Sequence, residues 1–527
     1  MRGSPPAKLR RLWPLLMVPL LAAAALVVRR VDRVQAGPDA GVFVGLVSNL
    51  RSSGALTSLT DQFWIRLSPA ATVARLGDVP VADFGPLYPA VVAAVPASVD
   101  VAFLVIHVLA LFAAVLAVGL ITRRATDSTL AAVSAGSIAI WGPSSPQLFF
   151  PDDRPLDLFA RIGADGPAVA WWLLGFAVVV GAMSRCDRPR SRRWIGAATT
   201  ALLLAAAVLT RYALVGAVAG LLVALLLARW RKGDRRWPPV AAAMTLPLLW
   251  PVLIYPVVVG GAGPKSLAWH PGGLAPIGTT MGGWFGLDVA GGVGVAVVGA
   301  ALLGFGVVCG LARAGGVASL AAASAAGQLA ILVIGRFTLD AGLNVREERH
   351  LLLVRFLLAI LVVCGLHALA VRVTANASDI VRRAAPGVIA VGLALLVGVT
   401  SGVLPIPRPL RPLEPPLAVE AWLADRGDPP VLSNNSEDWF VRTGVPAADL
   451  PRTIEPSTSA PRDVTAELAE LATVAPVVVQ AYRPGFFESV DLRTVPCAAT
   501  TEVWTARPEV LGGFELAVVD LTRCGPR

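Results

Sequence analysis

Charge is scarce in this chain. Of 527 residues, 15% are Asp, Glu, Lys or Arg and 55% are hydrophobic, with a mean hydropathy of +0.68. A water-soluble globule of this length needs more polar surface than that, so the apolar stretches face lipid or other helices. Common chemical signatures are missing as well. There is no P-loop, no GxGxxG between a strand and a helix, no HExxH and no CxxC, so the usual motifs for nucleotides, catalytic zinc and dithiol redox chemistry are absent. No internal repeat is evident, which counts against a transporter built from paired repeats. The apolar runs are continuous rather than alternating, which excludes a membrane barrel.

What is present is a series of apolar runs rich in Ala, Gly, Val and Leu, a composition suited to close helix packing in lipid. They cover residues 12–28, 99–121, 130–141, 166–183, 195–228, 238–259, 291–312, 317–334, 351–371 and 386–404. The run 195–228 would be about 50 Å long as one helix, against a bilayer core of about 30 Å. Arg192-Arg193 precede it and Arg229, Arg231 and Lys232 follow it. Basic loops face the cytoplasm, so both ends lie inside and the run turns back at Thr210-Arg211-Tyr212. A single tilted helix with a snorkelling arginine is the alternative. The total is about eleven spans. The net charge of +10 is made of arginine clusters between runs. These read as topology signals, and no nucleic-acid partner is expected. The N-terminus is then cytoplasmic in a multi-pass membrane protein. The acidic loops, including the first outer loop 29–98, lie outside.

From residue 405 the pattern changes. A Pro-rich linker, 405–416, leads into 417–527, where helical patterns at 417–425 and 464–471 alternate with strand patterns at 430–432, 477–480, 502–505 and 514–521. The expected fold class is therefore an all-α polytopic transmembrane domain, 1–404, followed by a small C-terminal α/β domain outside the cytoplasm. Cys497 and Cys524 lie in that oxidising compartment, and a disulfide between them is one option. Asn434-Asn435-Ser436 matches a glycosylation sequon, a pattern common by chance.

Ionisable residues at a membrane edge are costly and so mark candidate sites. Asp39 stands about ten residues after the first span, ahead of a short helix containing Ser48-Asn49-Leu50. The loop closes with Ala82-Asp83-Phe84-Gly85-Pro86-Leu87-Tyr88-Pro89. Leu209-Thr210-Arg211-Tyr212 marks the hairpin tip, and Glu348-Arg349-His350-Leu351 opens a late span. Leu432-Ser433-Asn434 and Arg442-Thr443-Gly444-Val445-Pro446 lie in the tail. In order and placement these segments resemble the GT-C superfamily of membrane glycosyltransferases, in particular the protein mannosyltransferase and aminoarabinose transferase group. The chain differs in having Gly-Pro-Leu-Tyr-Pro where many relatives carry two prolines, and in lacking a proline after Arg349-His350-Leu351-Leu352.

The resemblance implies transfer of a sugar from a polyprenyl-phosphate donor to an extracytoplasmic glycan, lipid or protein. It places Asp39 as the group that binds or deprotonates the acceptor hydroxyl, a role suited to a carboxylate whose pKa is raised in low-dielectric surroundings. By residue type alone Asp39 also suits a helix N-cap. Asp152 and Asp153 resemble the second acidic site, which positions acceptor or metal, although Pro-Asp-Asp is also good turn chemistry. Asp157 and Asp165 are weaker candidates. Arg211 and Arg349, with Tyr212 and His350 beside them, suit the lipid phosphate. They would equally serve as interfacial anchors, and Arg336 and Arg346 are alternatives. Asp83, Tyr88 and His270 complete the substrate-binding set, with Trp284 and Phe285 able to stack on a sugar. No metal ligand set is assigned, and a divalent metal stays open as a cofactor. His107 and His367 lie within spans and read as packing residues. The competing readings are a transporter or lipid flippase, and a non-catalytic relative.

Overall fold

The computed structural model describes residues 7–30, 40–58, 69–74, 79–80, 85–141, 162–183, 190–232, 316–338, 348–374, 417–453, 463–484, 489–504 and 513–525, together with Leu156, Phe159 and Pro461. The described residues are mostly helical. Helix α1 (Ala7–Arg30) precedes a first loop that holds α2 (Ala40–Ser52), α3 (Pro69–Ala74), α4 (Leu87–Ala93) and a two-residue antiparallel pair, β1 (Thr57–Ser58) with β2 (Val79–Pro80). Then come α5 (Val99–Thr126), α6 (Thr129–Trp141), α7 (Asp165–Met183), α8 (Arg190–Thr210), α9 (Val215–Lys232), α10 (Gly316–Thr338) and α11 (Glu348–Val373).

Among the described residues, Val99–Thr126, Asp165–Ala182 and Leu351–Val373 are long and apolar enough to cross a membrane, and further apolar helices are shorter. The expected spans over 238–259, 291–312 and 386–404 fall outside the described residues, as does the linker 405–416. Helix α5 ends on Asp127 in the left-handed region, φ 54°. The Ser128 hydroxyl then accepts from the Ala131 amide and starts α6. The run 195–228 is two helices, broken at Arg211, where the backbone is extended (φ −147°, ψ 108°) before a 3₁₀ turn at Tyr212–Leu214. The two do not lie against each other as a tight pair: α8 packs on α7 and α9 packs on α10. The α9–α10 crossing is backbone to backbone. A Cβ on Gly327 would sit 2.2 Å from the Gly216 carbonyl oxygen, and one on Gly220 would sit 2.1 Å from that of Ala323, so only small residues allow this approach. One apolar core joins α1 and α5 through α11.

The C-terminal unit is a five-stranded mixed sheet, ordered β4-β3-β5-β7-β6, built from β3 (Val431–Ser433), β4 (Ala447–Asp449), β5 (Val477–Tyr482), β6 (Ala499–Trp504) and β7 (Glu515–Asp520). β3 runs parallel to β4 and β5, and β7 is antiparallel to β5 and β6. Alternate residues face opposite sides, as a strand requires. Leu432, Val478 and Val519 share one core with α14 (Thr465–Val474). Val431, Val479 and Val518 share the other with α12 (Leu417–Ala424) and Trp439 of α13 (Ser436–Thr443). Helix α13 is bounded as its sequence dictates: the Asn435 side chain accepts from the Asp438 amide, and Gly444 takes φ 74° after its last turn. Cys497 and Cys524 form a disulfide. Asn434 is 2% exposed. Its side chain exchanges hydrogen bonds with the Arg483 backbone at 2.8 and 2.9 Å, so the sequon asparagine is a structural residue and not a surface acceptor.

The unit is joined to the first loop. Helix α13 packs on α2, and α14 packs on α3. Ala70 of α3 is 1% exposed and belongs to the core of the sheet's α14 side.

Candidate functional site

Four segments distant in sequence meet at the end of the bundle nearest the C-terminal unit. The first is the return of the first loop. Gly85 lies so close to the tip of α8 that a Cβ there would stand 1.9 Å from the Leu209 carbonyl oxygen. The second is the break at Arg211. The third is the start of α7, where Asp165 places a carboxylate at the helix N-terminus, the end a negative charge favours. The fourth is the start of α11, which brings up Leu353.

Tyr88 ties the first of these to the third. Its hydroxyl lies 2.5 Å from His107 Nε2, and His107 Nδ1 lies 2.7 Å from the Phe159 carbonyl oxygen. A carbonyl only accepts, so Nδ1 carries the proton and Nε2 accepts from the tyrosine. The Gly163 amide donates to the Tyr88 oxygen at 3.3 Å. Tyr88 is 2% exposed and packs edge-on against Phe43 at 4.8 Å. It was expected to touch substrate, but the structure places it in the core, holding the segment that leads to Asp165. His107, expected as a packing residue, is buried as well as hydrogen-bonded. Arg51, at the end of α2, donates to the carbonyls of Val92, Ala93, Val95 and Ala97 and so fastens α2 to the end of α4.

Arg211 Nε lies 3.0 Å from Asp165 Oδ1, with side chains 14% and 11% exposed. The pair borders a small cavity of about 10 Å³, lined also by Leu214, Gln328 and Leu353. Gln328 is fully buried, and among the described residues neither its amide oxygen nor its nitrogen has a hydrogen-bond partner. Arg355, two turns into α11, is a buried cation, 6% exposed.

Of the residues expected to form the site, Arg211 and Tyr212 stand together at this end, and Tyr212 packs against the main core. Arg349 and His350 lie on the first turn of α11. Asp39, Asp83, Asp152, Asp153 and His270 lie outside the described residues; Ala40, directly after Asp39, starts α2 and is fully buried. Among the described residues no three His, Cys, Asp or Glu side chains gather to hold a metal. By sequence Asp165 is a weak candidate, and Gln328 and Arg355 belong to no motif. The available signal was a polar residue inside an apolar run, which is expensive in a membrane and so points to a cavity or a partner.

No protein family matches the chain by sequence, and no curated protein does either. Solved structures match by fold. ArnT from Cupriavidus metallidurans, determined bound to undecaprenyl phosphate, superposes with a TM-score of 0.53 at 12% identity, covering 97% of this chain and 99% of that one. The oligosaccharyltransferase of Archaeoglobus fulgidus matches in its apo form with a TM-score of 0.51 at 14% identity, covering 89% of this chain and 69% of that one. Its complex with zinc and sulfate matches at 0.50 and 13% identity, covering 88% and 68%. At these identities the likeness is one of fold. Both proteins are GT-C superfamily members, and over most of its length this chain is similar to them in fold.

Proposed function

We propose that the chain is a multi-pass membrane glycosyltransferase that moves a sugar from a polyprenyl-phosphate donor to an extracytoplasmic acceptor. The observation that carries this reading is the placing of Arg211. It stands at a helix break, shielded from bulk water, where the first loop returns, and it is held by a carboxylate rather than extended as an anchor. A guanidinium so placed can exchange one oxyanion for another, and a lipid phosphate, like the Asp165 carboxylate, offers oxygens that accept from it. The solved ArnT with undecaprenyl phosphate, alike in fold, makes a lipid phosphate the natural ligand class.

In this mechanism the acceptor oxygen attacks the anomeric carbon, and Asp39 takes or orients its proton. The bond from that carbon to the phosphate oxygen breaks, its electron pair stays on the phosphate, and the anomeric centre inverts. Arg211 and Arg349 stabilise the charge that grows on the leaving phosphate. Tyr212, His350, Asp83 and His270 border the donor, and Asp152 or Asp153 orients the acceptor. These carboxylates are also the groups that would hold a divalent ion. The basic last turns of α5, with Arg123 and Arg124, and of α11, with Arg372, lie at the helix ends away from this site. That supports a site on the extracytoplasmic side.

The test uses membranes that carry the inserted chain and are given undecaprenyl-phosphate-linked hexoses and pentoses, with release of undecaprenyl phosphate as the readout. Asp39→Asn and Arg211→Gln should each abolish release. Release at the wild-type rate by inserted Asp39→Asn would overturn the role of Asp39. Translocation of intact donor without release would favour a flippase.

A further inference from the structure

We infer that Gln328 recognises a hydroxyl of the donor sugar, beside the phosphate held by Arg211. The inference rests on the donor reading above and adds the residue that reads the sugar. Gln328 lies in the middle of α10, fully buried, with both ends of its amide unpartnered among the described residues. Leaving one buried polar group unsatisfied is costly, and here there are two, a donor and an acceptor on one side chain. The residue before it, Gly327, meets the backbone of α9 at Gly216 and Gly220. That contact fixes the rotation of α10, and Gln328 borders the cavity it shares with Arg211 and Asp165.

The chemistry of the ligand follows from the amide. A phosphodiester oxygen only accepts, so it would satisfy Nε2 and repel Oε1. A hydroxyl donates and accepts, and satisfies both. Arg211 and Gln328 line the same cavity, which suits a ligand bearing an anion next to hydroxyls. A sugar joined to phosphate is such a ligand.

The experiment measures binding of undecaprenyl phosphate and of undecaprenyl-phosphate-linked glucose, mannose and arabinose to the full chain in detergent, for wild type, Gln328→Met, Gln328→Asn and Arg211→Gln. The wild type should prefer at least one sugar-linked lipid over the bare phosphate. Gln328→Met should keep bare-phosphate affinity within twofold and lose about tenfold for the preferred sugar lipid. Its melting temperature should hold or rise, because an unsatisfied amide has been replaced by an apolar chain of similar size. Gln328→Asn, whose shorter amide keeps the chemistry, should fall between the two. Arg211→Gln should lose both ligands. If Gln328→Met binds the sugar lipids as the wild type does, or if the wild type does not distinguish them from bare phosphate, the role of Gln328 is overturned and the donor reading stands. A Gln328→Met variant that melts lower and loses both ligands equally would make Gln328 a structural residue. If the wild type binds none of the lipids, the donor reading fails and this role fails with it.

Discussion

Gly85→Ala is the sharpest test of how the site is assembled, because one methyl group acts where two distant segments touch. The added Cβ would lie 1.9 Å from the Leu209 carbonyl oxygen and 2.8 Å from the Thr210 carbonyl carbon. Both atoms belong to backbone, so no side chain can swing away. Real Cβ contacts keep at least 3.0 Å, so one segment must move by about 1.1 Å. Forced packing of this kind costs about 1–3 kcal/mol. The segment that moves carries Arg211 on one side or the lead to Tyr88 on the other. A displacement of about 1 Å among groups that position a reacting centre costs about a hundredfold in rate. The variant should therefore insert, melt lower in detergent, and release undecaprenyl phosphate from a sugar donor about a hundred times more slowly. Gly196→Ala is the control. Its Cβ would meet nothing within 4 Å, it lies inside α8, and it should melt at or above the wild-type temperature, since alanine favours helix by about 1 kcal/mol over glycine. If Gly85→Ala matches the wild type in both melting and rate, the first loop does not return against the tip of α8, and the site is not assembled there.

Two further outcomes concern the C-terminal unit. The Cys497–Cys524 bridge closes a loop of 27 residues, which by chain entropy stabilises the unit by about 3.5 kcal/mol. Replacing both cysteines by serine in the full chain should lower the temperature at which the unit becomes protease-sensitive, and an unchanged temperature would refute the estimate. Asp449 is half-buried, and its desolvation raises its pKa against the opposing pull of Arg452 and of the Ser436 hydroxyl that donates to it at 2.6 Å. The folded state then keeps a proton that the unfolded state gives up near pH 3.8, so stability falls as pH rises through a window that opens near 3.8 and closes at the raised folded-state pKa. Asp449→Asn should match the wild type below that window and exceed it above; equal pH profiles of melting would show that the carboxylate is not penalised.

The described helices were legible because long apolar runs have few alternatives, and α5 and α11 end where Arg123 and Arg372 mark the polar boundary. The break at Arg211 was legible because no bilayer suits a 34-residue span with basic clusters at both ends. The tail was partly legible. The strands β5 and β7 showed as short apolar runs, because both of their faces are buried, whereas β4 and α13 are short, and their identity rests on contacts rather than on pattern. The site was less legible for a physical reason. Tyr88 carries the same letters whether its hydroxyl faces a substrate or His107, and only the packing decides between them. Gln328 and Arg355 each interrupt an apolar run once, which barely changes average hydropathy, although in a membrane a single such residue outweighs many leucines in what it says about function.

The joint between the tail and the first loop bears on how the chain could be divided. Composition suggests a break near residue 405, yet the core on the α14 side of the sheet includes Ala70 from the first loop, and α13 rests on α2. Helix α2 begins directly after Asp39, so the tail bears on the element that leads out of the proposed acceptor site. Removing residues 405–527 would strip the cover from one face of α2 and α3, short helices that cannot hold their shape alone. An Ala70→Cys chain tests this directly. In the full-length protein the new thiol should resist a polar maleimide, because residue 70 is 1% exposed. In a chain ending at Leu404 it should label rapidly, and sugar transfer should be lost even though every span remains. Equal labelling in the two chains would mean that α3 is held by the membrane half alone, and the tail would then be an appended unit with no part in shaping the site.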